Sequence, residues 1–146
     1  MDTWKVYGLT VVALFLKMFA TVLIQAYGRF KSNSFSNPED LALVGKLFGK
    51  KDVAPGDSDL ARRAQNVLRN DGENIPIFLF LAMTYVQLNC WKTGVLIYFP
   101  IFVFSRIIHT VAYIRVLQPL RNIIHQLGIL VMFALCSHIV WTVFMS

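Results

Sequence analysis

Four apolar stretches, separated by connections that carry most of the charge, constrain what this chain can fold into. They cover residues 6–27 (VYGLTVVALFLKMFATVLIQAY), 75–90 (IPIFLFLAMTYVQLNC), 94–113 (GVLIYFPIFVFSRIIHTVAY) and 123–144 (IIHQLGILVMFALCSHIVWTVF). A helix needs about 20 such residues to cross roughly 30 Å of hydrocarbon. Three stretches are long enough. The second is short, but the polar run before it, DSDLARRAQNVLRNDGEN, extends the helix back to Asp57 or Asp59. Its first half then stands in water or in a polar interior, and Gly72 and Pro76 allow a kink between the halves. The expected architecture is all-α: an integral membrane protein with a four-transmembrane-helix bundle in a single domain, 1–146. The helices are expected at about 59–90 and at the other three stretches, with a polar cytosolic loop at about 28–58.

The net charge of +6 does not point to nucleic acid. Nucleic-acid binding needs a basic face interleaved with polar groups. Here the basic residues alternate with apolar blocks, and mean hydropathy is +0.56. Residues 28–75 hold Arg29, Lys31, Lys46, Lys50, Lys51, Arg62, Arg63 and Arg69, and the third connection adds Arg115 and Arg121. Only Lys5 and Lys92 mark the other side. The basic bias places the first and third connections in the cytosol and both termini in the lumen. The first stretch is expected to be a retained helix, not a signal peptide, since it begins beside Asp2 and carries Lys17. The middle of the first connection, residues 45–59, is rich in Gly, Pro and Asp and reads as an exposed loop. Cys90 and Cys136 have no metal-ligand spacing and imply no disulfide framework.

Charged groups at membrane depth are costly, about 2.5–3.5 kcal/mol for an arginine at a helix centre on insertion scales. This chain has several in one band. Arg106, His109 and Tyr113 share a helix face at i, i+3 and i+7. Asn66, Arg69 and Glu73 share another, with Asn70 beside them. Lys17, Gln25 and Arg29 follow the first helix, and Arg121, Asn122 and His125 open the fourth. Four such stripes can enclose a polar cavity just inside the cytosolic face. Its arginines can hold carboxylates bidentately, and Glu73 can accept from an ammonium. With no Ser or Cys nucleophile beside a base and no metal cluster, the site suits a small zwitterionic ligand that brings its own reactive group. Bland roles compete for each residue. Arg69–Glu73 can be a simple helix ion pair, Arg115 can snorkel to headgroups, and Lys17 can pair with Glu73 or Asp71 as structural glue. Ser137 and His138 read as hydrogen-bonding groups without chemistry.

FSNPED at 35–40, RNDGENI at 69–75 and RIIHTVAY at 106–113 resemble the MAPEG family, the membrane-associated proteins in eicosanoid and glutathione metabolism. The closest resemblance is to its branch of microsomal glutathione transferases and prostaglandin E synthases. The resemblance covers most of the chain and implies a homotrimer in the endoplasmic reticulum membrane, with the outer mitochondrial membrane as the alternative. Glutathione, as co-substrate, is expected between adjacent subunits, and a hydrophobic electrophile or lipid hydroperoxide arrives from membrane lipid. By the same resemblance Arg29, Arg69, Asn70, Glu73, Arg106, His109, Tyr113, Arg121 and His125 bind glutathione. Arg121, with Asn122 or His125, activates the thiol, and Asp40 stands near it. The implied activity is a glutathione S-transferase with peroxidase capacity. An endoperoxide isomerase making prostaglandin E and a non-enzymatic lipid-binding scaffold are the alternatives. Asn122 replaces the synthase serine, His125 replaces a tyrosine, and NVLRND replaces the usual RAHxND; these departures count against the isomerase.

Overall fold

The computed structural model describes residues 2–35, 37–48 and 54–145. These form five helices, α1 (Thr3–Ser32), α2 (Pro38–Phe48), α3 (Asp59–Gln87), α4 (Lys92–Ile114) and α5 (Gln118–Met145), and two short strands, β1 (Ser34–Phe35) and β2 (Ala54–Pro55). Asp2 caps α1 by accepting from the Trp4 N–H, and Ser58 caps α3 by accepting from the Ala61 N–H. Pro76 lies inside α3, which runs on through it as one element.

Contacts fix the packing of the four long helices. From α1 to α3, Gly28 meets Ser58 and Ala61, Lys17 meets Asp71, and Tyr7 meets Leu79. As residue numbers fall along α1 they rise along α3, so the two are antiparallel. The same holds for α3 and α4, joined at Asn70–Arg106, at the stacked Phe78–Phe102 rings and at Tyr85–Trp91. It holds again for α4 and α5, joined at Tyr98–His138, Arg106–Gly128 and Tyr113–Arg121. The result is an up-down-up-down arrangement.

The polarity of this bundle is turned outward from that of a water-soluble one. The buried stripe of α1 is Val6, Thr10, Leu14, Lys17, Thr21 and Gly28, while Leu9, Val12, Phe15, Leu16 and Phe19 face out. On α5, Leu130, Phe133, Trp141 and Phe144 also face out. Three helices, α1, α4 and α5, are long and apolar enough to cross a membrane. Inside, Phe78, Tyr85, Phe99, Phe102 and Leu135 make an apolar half. Towards the α4–α5 turn the interior becomes polar, with Asp71, Asn74, Ser105, Arg106, His109 and Thr110 buried.

The connection expected as a polar loop over 28–58 is largely structured. α1 runs on to Ser32, and α2 occupies 38–48 with Glu39 and Asp40 in its first turn, where negative charge suits the helix dipole. β1 and β2 pair in parallel, Ser34 with Ala54 and Phe35 with Pro55. Of the run expected as an exposed loop, residues 45–48 close α2, and 49–53 lie outside the described residues.

Candidate functional site

The polar stripes gather into three groupings. The first is a cavity of about 320 Å³ between α3 and α4, lined by Asn66, Arg69, Asn70, Glu73 and Tyr113. Arg69 and Glu73 are largely exposed and form an i, i+4 pair at 3.8 Å. A surface pair of this kind adds little stability, so both charges remain available to a ligand. Arg121 lies over the Tyr113 ring, its guanidinium carbon 4.7 Å from the centroid. That contact carries the first turn of α5 to the edge of the cavity. His109 continues the cluster inward, with ring centroids 5.8 Å from both Tyr113 and His125. The δ1 nitrogens of His109 and His125 are buried without a hydrogen-bond partner among the described residues. Asn122 is exposed beside Arg121.

The second grouping is a cavity of about 300 Å³ between α1 and α2, lined by Gln25, Arg29 and Asp40 among apolar residues that include Phe30, Phe35 and Val44. Arg29 is held bidentately by Asp57, Nε–Oδ1 at 2.7 Å and Nη2–Oδ2 at 3.1 Å. The Ser58 hydroxyl donates to the Gly28 carbonyl at 3.0 Å. A Cβ on Gly28 would lie 2.9 Å from the Ala61 backbone nitrogen, so this close approach of α1 and α3 needs glycine. These contacts fix where Arg29 stands. They pair residues about 30 positions apart, a link that no local sequence signal reveals.

The third grouping is buried in the bundle. Lys17 of α1 pairs with Asp71 of α3, the side chains 5% and 0% exposed. Arg106 of α4 is 0% exposed, and its Nη1 donates to the Asn70 side-chain oxygen at 3.0 Å. Of the two carboxylates weighed for Lys17, Asp71 takes it; Glu73 stays outside with Arg69. Arg106, His109 and Tyr113, one face in the sequence, therefore divide by depth: Tyr113 reaches the cavity and Arg106 lies behind Asn70. Gly128 belongs to this grouping too. A Cβ there would lie 2.9 Å from Arg106 Nη2. Sequence reasoning passed over Gly128, whose part is to leave space.

Among the described residues, no group of three or more His, Cys, Asp or Glu side chains is arranged to hold a metal ion. The fold and site define a class: a helical membrane protein with an ionic interior and a mixed-charge cavity beside it. The chain belongs to the MAPEG family, whose profile matches residues 7–141. It is 34% identical over 131 residues to the prostaglandin E synthase of Mus musculus, covering 89% of this chain and 82% of that protein. Against the synthase of Equus caballus it is 33% identical over 129 residues, covering 88% and 81%. Against microsomal glutathione S-transferase 1 of Rattus norvegicus it is 35% identical over 113 residues, covering 77% and 72%.

Proposed function

We propose that this protein is a glutathione-dependent membrane enzyme, a microsomal glutathione S-transferase with peroxidase capacity. One observation carries the proposal: Arg69, Asn70, Glu73 and Tyr113 line one cavity, with Arg121 against Tyr113 at its edge. Glutathione has two carboxylates, an ammonium and a thiol. Arg69 suits a carboxylate and Glu73 the ammonium, each through charge-assisted hydrogen bonds.

The thiolate, not the thiol, is the nucleophile. Arg121 favours the thiolate by its positive charge, with Asn122 or His125 as hydrogen-bond donor. The sulfur attacks the electrophilic carbon of an apolar substrate, the carbon–sulfur bond forms, and the leaving group departs with its electron pair. With a lipid hydroperoxide the sulfur attacks oxygen; the lipid is reduced to an alcohol, and a second glutathione completes the disulfide. No protein nucleophile is required.

Arg29 and Asp40 line a separate cavity from the α3–α4 set. We take them as the half-site offered to a neighbouring protomer of a homotrimer, with Asp40 near the sulfur. Four spans, with lumenal termini in the endoplasmic reticulum membrane, put the cavity on the cytosolic side, where glutathione is supplied.

The names of the relatives favour a second reading, prostaglandin E synthase. It uses the same thiolate on an endoperoxide. Turnover of an aryl halide and of the endoperoxide by purified protein decides between the two. Aryl halide conjugation without isomerisation supports the transferase, and the reverse supports the synthase. Neither activity, with no glutathione binding, refutes both.

A further inference from the structure

We infer that Arg106 serves the α3–α4 cavity through Asn70, as a positioning residue, and that Asp71, itself anchored by Lys17, supplies the counter-charge that keeps Arg106 in place. This rests on the cavity being the glutathione site. It also changes the role of Arg106, since the family resemblance implies that it touches glutathione itself.

Burial is the first ground. Arg106 is 0% exposed and is not among the residues lining the cavity, whereas Asn70 is. Donor chemistry is the second. A guanidinium can only donate, so the group facing Arg106 Nη1 must be the Asn70 carbonyl oxygen, at 3.0 Å. An unconstrained amide can turn over and exchange its oxygen and nitrogen. With the oxygen held, Asn70 offers the ligand its NH₂, a donor. The cavity is thereby fixed to recognise an acceptor at that point, such as a carboxylate or peptide carbonyl.

Enclosure of the guanidinium is the third ground. Asp71 interacts electrostatically with both Lys17 and Arg106. One of its oxygens takes Lys17; Oδ1, like Arg106 Nε and Nη2, is buried without a hydrogen-bond partner among the described residues. The carboxylate thus keeps capacity for the second cation. On the far side, the absent Cβ of Gly128 leaves the space that Nη2 fills. Each of the four long helices contributes one part of the device, so its geometry is set by the bundle rather than by an exposed, flexible side chain.

A double-mutant cycle on glutathione affinity tests this, by calorimetry on the detergent-solubilised full-length protein. Asn70→Ala and Arg106→Met should each weaken binding about tenfold. The double variant should bind no more weakly than Asn70→Ala alone, because Arg106 acts through the group removed. A further full loss on adding Arg106→Met to Asn70→Ala means direct contact with glutathione and overturns the inference. If Arg106→Met does not assemble, Arg106→Lys keeps the charge, loses the planar fork and serves the same comparison.

A second readout needs no ligand. In protein labelled with ¹⁵N-asparagine, the Asn70 side-chain amide signal is identified by its loss in Asn70→Ala. It should shift in both the Arg106 variant and Asp71→Asn; an unchanged signal in the Arg106 variant overturns the inference. If wild-type protein binds no glutathione, the functional assignment of the cavity falls, and this signal decides whether Arg106 orients Asn70.

Discussion

Replacing Asp71 by asparagine should be among the most damaging single changes in this chain, and Lys17→Met should relieve it. The wild-type interior holds two cations, Lys17 and Arg106, around one carboxylate, with Asp71 and Arg106 0% exposed and Lys17 8%. Asp71→Asn leaves two buried cations and no counter-charge. Breaking a buried pair in this way costs about 3–5 kcal/mol, a large fraction of the roughly 5–15 kcal/mol that holds a domain together. Lys17→Met leaves one cation and one carboxylate, Arg106 and Asp71, and should cost less. The double variant Lys17→Met/Asp71→Asn leaves a single cation that still has its bond to Asn70, so it should fall between the two singles. The assay is denaturant- or heat-induced unfolding of purified protein in one detergent, with activity followed in parallel. Asp71→Asn within about 0.5 kcal/mol of wild type, the range of an inconsequential surface change, would refute this reasoning. So would a double variant less stable than Asp71→Asn.

Other perturbations separate stability from chemistry. Gly128→Ala places a methyl 2.9 Å from Arg106 Nη2; overpacking should cost about 1–3 kcal/mol in the same unfolding assay. Val116, at the turn between α4 and α5, sits at φ 62°, a left-handed conformation that a β-branched residue adopts only under strain. Leu117 N–H to Ala112 C=O at 2.8 Å and Val116 N–H to Tyr113 C=O at 3.4 Å make this a Schellman ending, where glycine is usual. Val116→Gly should therefore raise stability by about 0.5–1 kcal/mol. Glu73→Gln should leave unfolding nearly unchanged, because Glu73 is exposed and its pair with Arg69 is weak. It should nonetheless weaken glutathione binding by about tenfold or more, the loss expected for a charge-assisted bond.

The parts of the fold legible in the sequence were those written as periodicity. Runs of apolar residues marked α1, α4 and α5, and the polar run before Ile75 marked the long α3. The polar stripes were legible as well, because i, i+3, i+4 and i+7 spacing puts residues on one face whatever surrounds the helix. Depth and partner choice were not. Arg106 and Tyr113 share a face, yet one lies behind Asn70 with its Nη2 against Gly128 of α5, and the other, near the end of α4, lines the cavity. Arg29 found Asp57 across 28 residues, and Lys17 found Asp71 across 54. The first pairing has no local signal; for the second the sequence offers Asp71 and Glu73, and the bundle selects Asp71. α2 is hard to see in the sequence because its neighbourhood is rich in Gly, Pro and charge, although Glu39, Asp40 and Lys46 lie where a helix dipole favours them. At this cavity the spacing put the candidate residues on shared helix faces, and which of them line it required the bundle.

The most direct test of the account is the ultraviolet difference spectrum of glutathione mixed with purified wild-type protein and with Arg121→Ala, at equal loading and assembly. A saturable thiolate absorbance in wild type that is lost in Arg121→Ala is the predicted result. Equal absorbance in both, or none in wild type together with no bound glutathione, would contradict it.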